Sequence, residues 1–164
     1  MILKRFSNVM LLAPLMVAIA PDAHSAGASS DEATRMFSRG DAYEQFMGRW
    51  SRQLAPPYVR FAALRDGDRV LDVGTGTGSL ASTVSAMLPA STVIGIDPSK
   101  EFIEHAHRLA TPSSKRLRFD VGDAQKLGYP DASFDHAMAM LVMNFIPDHA
   151  RALGEMKRVT KTRA

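Results

Sequence analysis

The sequence contains no cysteine among its 164 residues. Disulfide bonds and thiolate metal sites are therefore excluded, although this absence says little about the compartment in which the protein works. A large excess of one charge is also missing, because 20 lysines and arginines stand against 17 acids and give a formal net charge of +3. This surplus is too small and too scattered for a nucleic-acid interface, so we expect no nucleic-acid partner.

A hydrophobic run long enough to cross a membrane is missing from the N-terminus. The apolar run from Val9 to Ala20 is too short to span a bilayer and is interrupted by Pro14. Two basic residues precede it and small residues follow it, which is the three-part pattern of a secretory signal peptide. We therefore predict a leader and linker over residues 1–30 and no membrane span in the mature domain. An upstream extension from a wrongly chosen start codon is the alternative.

A glycine-rich turn stands between an apolar run and an amphipathic run. Gly74, Gly76 and Gly78 alternate with threonines after Asp72. The pattern predicts a strand, a tight turn and a helix, because glycine serves where the backbone takes positive φ or approaches a ligand closely. Free N–H groups at the start of such a helix suit an anion, whereas Asp72 brings a negative charge to the same crevice. A ligand with both kinds of charge fits this pattern, and a turn that binds nothing is the alternative.

Two further acids follow the next two apolar runs. Asp97 ends the run Thr92–Ile96, and Asp123 and Ala124 come shortly after Leu117–Val121. Ligands of parallel sheets bind at the carboxyl ends of the strands, where an acid can accept both hydroxyls of a ribose. Capping a helix is the other role open to Asp97, and a turn is the other role open to Asp123. We expect these acids and the glycine turn to form one nucleoside site.

The order of these motifs resembles that of the class I S-adenosylmethionine-dependent methyltransferases. The spacing from Asp72 through the three glycines is similar to the first motif of that class. Ser79 stands where a dinucleotide-binding fingerprint has its third glycine. From about Tyr43 to the end, including the segments 127–135, 144–148 and 152–159, the chain resembles the methyltransferase type 11 family.

The resemblance implies S-adenosylmethionine as the cofactor and methyl transfer to a small-molecule acceptor as the activity. It implies that the glycine loop holds the amino-acid end of the cofactor, that Asp97 binds the ribose, and that Asp123 and Ala124 bind the adenine. The predicted cofactor-binding residues are Asp72, Gly74, Gly76, Gly78, Asp97, Asp123 and Ala124. A cofactor-binding module without catalysis stays open as an alternative, as does, less favoured, an NAD-dependent oxidoreductase.

No catalytic residue is assigned from the sequence, and no metal is expected. Many relatives carry histidine where Asn144 stands, so a proton acceptor is missing at that position. His136, Asp148 and His149 are the candidate general bases near the ends of the fourth strand. Arg49, with Tyr43, resembles a pair that leans over the cofactor in relatives, and core packing or a surface ion pair is the alternative.

The apolar runs and the resemblance predict an α/β fold, a Rossmann-like three-layer sandwich with a mostly parallel sheet and helices on both faces. We predict a helical cap over residues 31–66 and the cofactor-binding domain over residues 67–164. In the cap, a packed first helix that includes Trp50 should end at Pro56–Pro57, followed by a second short helix. The predicted strands are Arg69–Val73, Thr92–Ile96, Leu117–Val121 and Ala137–Ile146.

The fourth predicted strand is almost wholly apolar and should have a neighbour on each side. The first strand can supply one neighbour, but no later segment remains to supply the other. We therefore expect a domain that lacks the last strands of the class I fold, or a partner chain or second copy that covers this edge, because an open apolar edge promotes aggregation.

The sequence gives two conflicting predictions of the compartment in which the protein works. S-adenosylmethionine is made in the cytosol, so a cytoplasmic protein is expected, whereas the N-terminus has the pattern of an exported one. A start at Met36 would remove the conflict, because the chain would then open on the first helix.

Overall fold

The computed structural model describes residues 2–6, 9–13, 47–110 and 116–162. The strands in these ranges are β1 (Ile2–Phe6), β2 (Val9–Ala13), β3 (Arg69–Val73), β4 (Thr92–Asp97), β5 (Leu117–Val121) and β6 (His136–Met140). The helices are α1 (Arg49–Ala62), α2 (Ser79–Met87), α3 (Lys100–Leu109) and α4 (His149–Val159), with a 3₁₀ turn at Met143–Phe145.

The strands form one sheet in the order β1-β2-β6-β3-β4-β5. All neighbouring pairs are parallel except β1 and β2. β5 lies at an edge, and only Phe119 of its five residues is fully buried, as its alternating sequence predicts. The predicted α/β fold with a mostly parallel sheet is confirmed.

Helices cover both faces of the sheet. On one face, α1, α2 and α3 pack against β3, β4 and β6 through buried residues that include Tyr58, Leu80, Val84, Ile103 and Met138. On the other face, α4 packs through Ala152, Met156 and Val159 against Leu71, Ile94 and Ala137. The three-layer arrangement is therefore as predicted, and it leaves the carboxyl ends of β3 to β6 free to form a site.

The prediction that Pro56–Pro57 ends the first helix is wrong. α1 runs unbroken through both prolines to Ala62 and ends at Ala63, whose φ of 52° is left-handed. A proline inside a helix costs about 3 kcal/mol, but Tyr58 and Val59 are buried on the sheet side, and each such burial contributes roughly 1.5–3 kcal/mol. The hydroxyl of Tyr58 also donates to the carbonyl oxygen of Ala139 at 3.3 Å. Packing against β6 therefore holds the helix together.

The observed strand β6 is shorter than the apolar run Ala137–Ile146 from which a strand was predicted. β6 ends at Met140 instead of Ile146, because Leu141 takes a left-handed φ of 60° and leaves the ladder. The chain then turns into the 3₁₀ segment and returns over the carboxyl end of β3. The apolar residues 141–146 therefore become part of the wall of a cavity.

The outer edge of β6 is covered by a strand of this chain. β2 pairs with it in parallel, from Val9 opposite Ala137 to Leu12 opposite Met140, and β1 pairs antiparallel with β2. The expectation that no segment of this chain remains for that edge is therefore wrong, because the apolar run that resembles a signal peptide begins with the strand β2. The division into leader, cap and domain stays a prediction.

Candidate functional site

The glycine turn after β3 takes a conformation that other residues adopt poorly. Gly74, Gly76 and Gly78 have φ values of 69°, 55° and 86°, in the left-handed region that glycine enters without steric cost. A Cβ on Gly74 would collide with the side chain of Val142, and one on Gly78 would lie 2.8 Å from the ring of Phe119. The turn is therefore packed tightly from two sides, against the segment after β6 and against β5.

Asp97 connects the end of β4 to the glycine turn. Its carboxylate accepts hydrogen bonds from the backbone N–H of Gly76 at 3.0 Å and of Ser99 at 2.9 Å. Burial raises its pKa, and the two N–H donors oppose that rise. Helix α3 begins at Lys100 and is capped by Ser99, whose hydroxyl accepts from the N–H of Phe102. Asp97 is therefore not the N-cap of α3.

Asp72 lies underneath the glycine turn. It is 1% exposed, and one carboxylate oxygen accepts from the hydroxyl of Thr75 at 2.7 Å and from the N–H of Ala81 at 3.1 Å. Burial raises its pKa to about 7. The prediction that Asp72 points a fixed negative charge into the open crevice is thus wrong. Its carboxyl faces Thr75 and the first turn of α2, and burial disfavours its charged form.

Asp123 stands at the opposite, exposed side of the site. Its Oδ1 accepts from the backbone N–H of Gln125 at 2.8 Å and from the Gln125 side-chain amide at 3.1 Å, which lowers its pKa. Gln125 in turn accepts from the N–H of Asp148 at 3.1 Å through Oε1. Gln125 was not predicted from the sequence, and its place directly after the Gly-Asp-Ala motif is the signal that could have found it.

One cavity of about 430 Å³ lies at the carboxyl ends of β3, β4, β5 and β6. Five of the seven predicted residues line it, namely Gly74, Gly76, Asp97, Asp123 and Ala124. Asp72 and Gly78 do not. Asp72 instead borders a small recess behind the glycine turn, together with Ser51, Thr77 and Met140.

The remaining wall of the cavity is apolar and was not predicted. It consists mainly of Phe102, Leu141, Val142, Phe145 and Ile146. The volume lies within the usual range for small-molecule sites, which combine an apolar lining with a few placed polar groups. Two carboxylates, a glycine turn that a Cβ would block and an apolar wall fit a nucleoside that carries a charged tail.

The candidate general bases lie outside this cavity. The Nε2 atom of His136 is 3.2 Å from Asp68 at the amino end of β6, where both residues are largely buried. Asp148 caps α4 by accepting from the N–H of Arg151 at 2.9 Å, and His149 is the exposed first residue of that helix. None of the three lines the cavity.

The cap residues give a mixed outcome. Tyr43 lies outside the described residues, and Arg49 lies over the ring of Trp50, 5.3 Å from its centroid. The prediction that Trp50 is packed in the core is wrong, because half of its surface is exposed. Among the described residues, no three acids or histidines are grouped to hold a metal ion. No helix in this part of the chain is both long and apolar enough to cross a bilayer.

Comparison with known proteins places this geometry in context. A family model described as a methyltransferase domain matches residues 70–163. The ubiquinone/menaquinone biosynthesis C-methyltransferase UbiE of Geotalea uraniireducens is 34% identical over 113 residues, which cover 67% of this chain and 47% of that protein. A demethylmenaquinone methyltransferase of Deinococcus radiodurans is 37% identical over 91 residues, covering 56% and 38%.

A solved structure gives the same result for the fold. A SAM-dependent methyltransferase from Aquifex aeolicus matches with a TM-score of 0.60 at 26% identity, covering 65% of this chain and 58% of that one. The chain spans about half the length, or less, of the two curated relatives described above.

Proposed function

Because the chain belongs to the methyltransferase-domain family, we propose that it binds S-adenosylmethionine and transfers the methyl group to a small-molecule acceptor. The observation that carries this proposal is that Gly74, Gly76, Asp97, Asp123 and Ala124 line one and the same cavity. These residues come from the end of β4 and from the loops after β3 and β5, and the fold brings them to one edge of the sheet.

We assign each part of the cofactor to the residue whose chemistry suits it. The carboxylate of Asp97 already accepts two N–H groups, and its remaining lone pairs are free for the ribose hydroxyls. Asp123, whose pKa is lowered, is a carboxylate acceptor for the amino group of adenine, with Ala124 beside it. The glycine turn with the start of α2 suits the carboxylate of the amino-acid end.

The bound cofactor supplies an electrophilic methyl group on a positively charged sulfur. The chain itself orients the two reactants and excludes water from between them. Holding two reactants in the correct geometry is the main contribution to the rate that we expect from this site. The apolar wall of Leu141, Val142 and Phe145 serves the second purpose. A general base is needed only for an acceptor that must lose a proton, and we assign none.

The acceptor is proposed only as a small molecule. The two relatives described above are named as methyltransferases of quinone biosynthesis and of demethylmenaquinone, so a demethylated quinone is the first acceptor to test. A cofactor-binding module without catalysis is the second candidate. It is supported by the location of the candidate bases outside the cavity.

Calorimetric titration with S-adenosylmethionine, S-adenosylhomocysteine and NAD tests the cofactor, and transfer of a radiolabelled methyl group tests the activity. We expect binding of both sulfur nucleosides, no binding of NAD, and label transferred to an acceptor from a panel headed by a demethylated quinone. Binding without any transfer would favour the module. Binding of NAD alone would overturn the proposal.

We further propose that the working protein is cytoplasmic and retains its N-terminus. Two features support this: the cofactor is made in the cytosol, and cleavage at a signal-peptide site after residue 20 would remove both β1 and β2 from the sheet. N-terminal sequencing of the native protein tests it. A mature end near Ala26 would contradict retention and favour export.

A further inference from the structure

Gln125 connects two of the loops that form the cavity. It lines the cavity itself and stands two positions after Asp123, in the loop that follows β5. Its side chain extends from this loop to the start of α4, where Asp148 caps the helix. Residues 145–147, which come directly before Asp148, belong to the cavity wall. One side chain therefore joins the proposed adenine-binding loop to another part of that wall.

The side-chain amide of Gln125 has a fixed orientation, because its two ends face opposite kinds of partner. The backbone N–H of Asp148, which can only donate, lies 3.1 Å from Oε1. The carboxylate of Asp123, which can only accept, lies on the other side, with Nε2 at 3.1 Å from Oδ1 and 3.4 Å from Oδ2. The observed orientation satisfies both neighbours, and the reversed amide would satisfy neither.

The main chain of Gln125 makes the same connection a second time. Its N–H donates to Oδ1 of Asp123 at 2.8 Å, and its carbonyl oxygen accepts from Nε of Arg151 at 2.8 Å. Arg151 belongs to the first turn of α4, and its own N–H donates to the carboxylate of Asp148. Polar contacts of both main chain and side chain thus hold the loop after β5 against the start of α4.

These contacts make the two carboxylate oxygens of Asp123 unequal. Oδ1 accepts from both the N–H and the amide of Gln125, whereas the contact of Oδ2 with that amide is longer, at 3.4 Å. The N–H of Gln125, followed by its side-chain amide, is the main cause of the lowered pKa of Asp123. The acid is therefore held in its charged form, and Oδ2 is the oxygen with more capacity left for a donor on a ligand.

We infer that Gln125 is a positioning residue, which orients the carboxylate of Asp123 for the base of the cofactor and ties its loop to the wall segment 145–148. The inference rests on the proposed function, which assigns Asp123 to the amino group of adenine. A fixed carboxylate accepts from that amino group but repels a carbonyl oxygen in the same place. Gln125 should therefore set how strongly the cavity prefers adenine over hypoxanthine, which carries a carbonyl oxygen where adenine carries its amino group.

Calorimetric titration with S-adenosylhomocysteine and S-inosylhomocysteine measures this preference. We expect the parent protein to bind the adenosyl compound at least roughly tenfold more tightly, because the inosyl compound leaves the carboxylate without a donor. Gln125→Met keeps the length of the side chain and the backbone contacts but removes the amide. The Kd for the adenosyl compound should rise roughly 3- to 10-fold, and the Kd for the inosyl compound should change little.

Gln125→Glu is a stronger test of the same role. It keeps an acceptor for the N–H of Asp148 but places a second carboxylate beside Asp123, and like charges repel. We expect a larger loss of adenosyl binding than in Gln125→Met. A change that only loosened the loop would weaken both compounds equally, so the ratio of the two Kd values separates positioning from a general structural role.

Gln53 provides matched controls, because it is exposed on α1 and does not line the cavity. Gln53→Met and Gln53→Glu make the same chemical changes at that place. Both should bind the two compounds like the parent protein. Far-ultraviolet circular dichroism verifies that all four variants are folded.

Hydrogen exchange followed by mass spectrometry tests the tie to the wall segment. Peptides that cover residues 145–151 should exchange more slowly in the parent protein when S-adenosylhomocysteine is bound, because the ligand stabilises the loop to which this segment is attached. In Gln125→Met the N–H of Asp148 loses its acceptor. The segment should then exchange faster, and most of the protection by the ligand should be lost.

The outcomes distinguish this inference from the proposal on which it rests. No binding of S-adenosylhomocysteine by the parent protein would overturn the proposed function and this inference with it. Binding by the parent protein with an unchanged ratio of Kd values in both Gln125 variants would overturn the inference alone. Full protection of residues 145–151 by the ligand in Gln125→Met would also overturn it.

Discussion

The carboxylate of Asp97 accepts a hydrogen bond of 3.0 Å from the backbone N–H of Gly76. This bond joins the end of β4 to the turn after β3, so the two loops that form the centre of the cavity are held in one arrangement. The same carboxylate also orders Ser99, the cap of α3. A single buried acid thereby positions the glycine turn, the end of β4 and the start of α3 around the proposed ribose.

Replacing Asp97 should weaken cofactor binding through geometry as well as lost charge. In Asp97→Asn an amide N–H₂ group faces one of the two N–H donors, so one loop must move. Hydrogen bonds to charged groups contribute about 1.5–3 kcal/mol, which predicts a roughly 10- to 100-fold rise in the Kd for S-adenosylmethionine by calorimetry. Asp131→Asn, which changes an exposed acid that pairs with Arg158 of α4 and does not line the cavity, is the control. Equal affinities for the two variants would contradict the role given to Asp97.

Gly74→Ala should destabilise the protein and close part of the cavity. The new methyl group collides with the side chain of Val142. In addition, φ at this position is 69°, which alanine adopts with strain, so the collision and the backbone strain both lower stability. Overpacking of this kind costs about 1–3 kcal/mol in the free energy of unfolding, measured by urea denaturation. Gly128→Ala is the matched control, because a Cβ there meets nothing within 4 Å. In Gly74→Ala combined with Val142→Ala, part of the lost stability should return, and no recovery would show that the clash is unimportant.

The pKa of Asp72 predicts a specific dependence of stability on pH. Burial raises it to about 7 from an ordinary 3.8, so the folded state favours the protonated acid. A pKa raised on folding gives stability that is complete below pH 4 and is lost as the pH rises through 7, by an amount on the order of a few kcal/mol. Asp97, also raised by burial, acts in the same direction.

Urea denaturation of the parent protein and of Asp72→Asn between pH 4 and pH 8 measures this effect. The amide oxygen can still accept from Thr75 and Ala81, so the variant keeps the observed hydrogen bonds without the titration. We expect the free energy of unfolding of the parent to fall with pH relative to that of the variant. Parallel curves would show that Asp72 is not protonated in the folded protein near neutral pH.

Removing residues 1–13 should expose the edge of β6. The deletion takes away both β1 and β2, and an unpaired edge next to buried apolar residues favours association between copies. Size-exclusion chromatography with light scattering should show oligomers or aggregates where the full chain gives a smaller species. Leu11→Pro, which removes one backbone donor from a strand with neighbours on both sides, should act in the same direction, and Leu11→Val should not. A monomeric, equally stable deletion variant would separate these strands from the folded domain.

Local sequence patterns predicted the parts of the fold that depend on local chemistry. β3 and β5 have the predicted bounds, and β4 differs only by including Asp97, because each is a short apolar or alternating run between turn residues. Asp97 at the end of β4 and Asp123 after β5 were placed at the cavity for the same reason. These assignments need only the strand order of a parallel sheet.

The errors arise where distant contacts decide the outcome. α1 continues through two prolines because the sheet beneath it binds Tyr58 and Val59. β6 ends early because Leu141 has a left-handed φ of 60°, a conformation that an apolar run does not predict. Asp72 turns away from the crevice because Thr75 and Ala81 offer donors beneath the turn. In each case the outcome is decided by a contact with another part of the chain or by a backbone angle, and neither can be read from the local sequence pattern.

The pairing of Val9 with Ala137 has a consequence for the order of events on the ribosome. The first of these residues is synthesised well over a hundred positions before the second, which at 5–20 residues per second is an interval of roughly 6 to 25 seconds. During that interval β2 has no β6 to join, so the outer edge of the sheet forms only after most of the domain has been synthesised. A strand at the start of the chain thereby ties completion of the sheet to the late synthesis of β6.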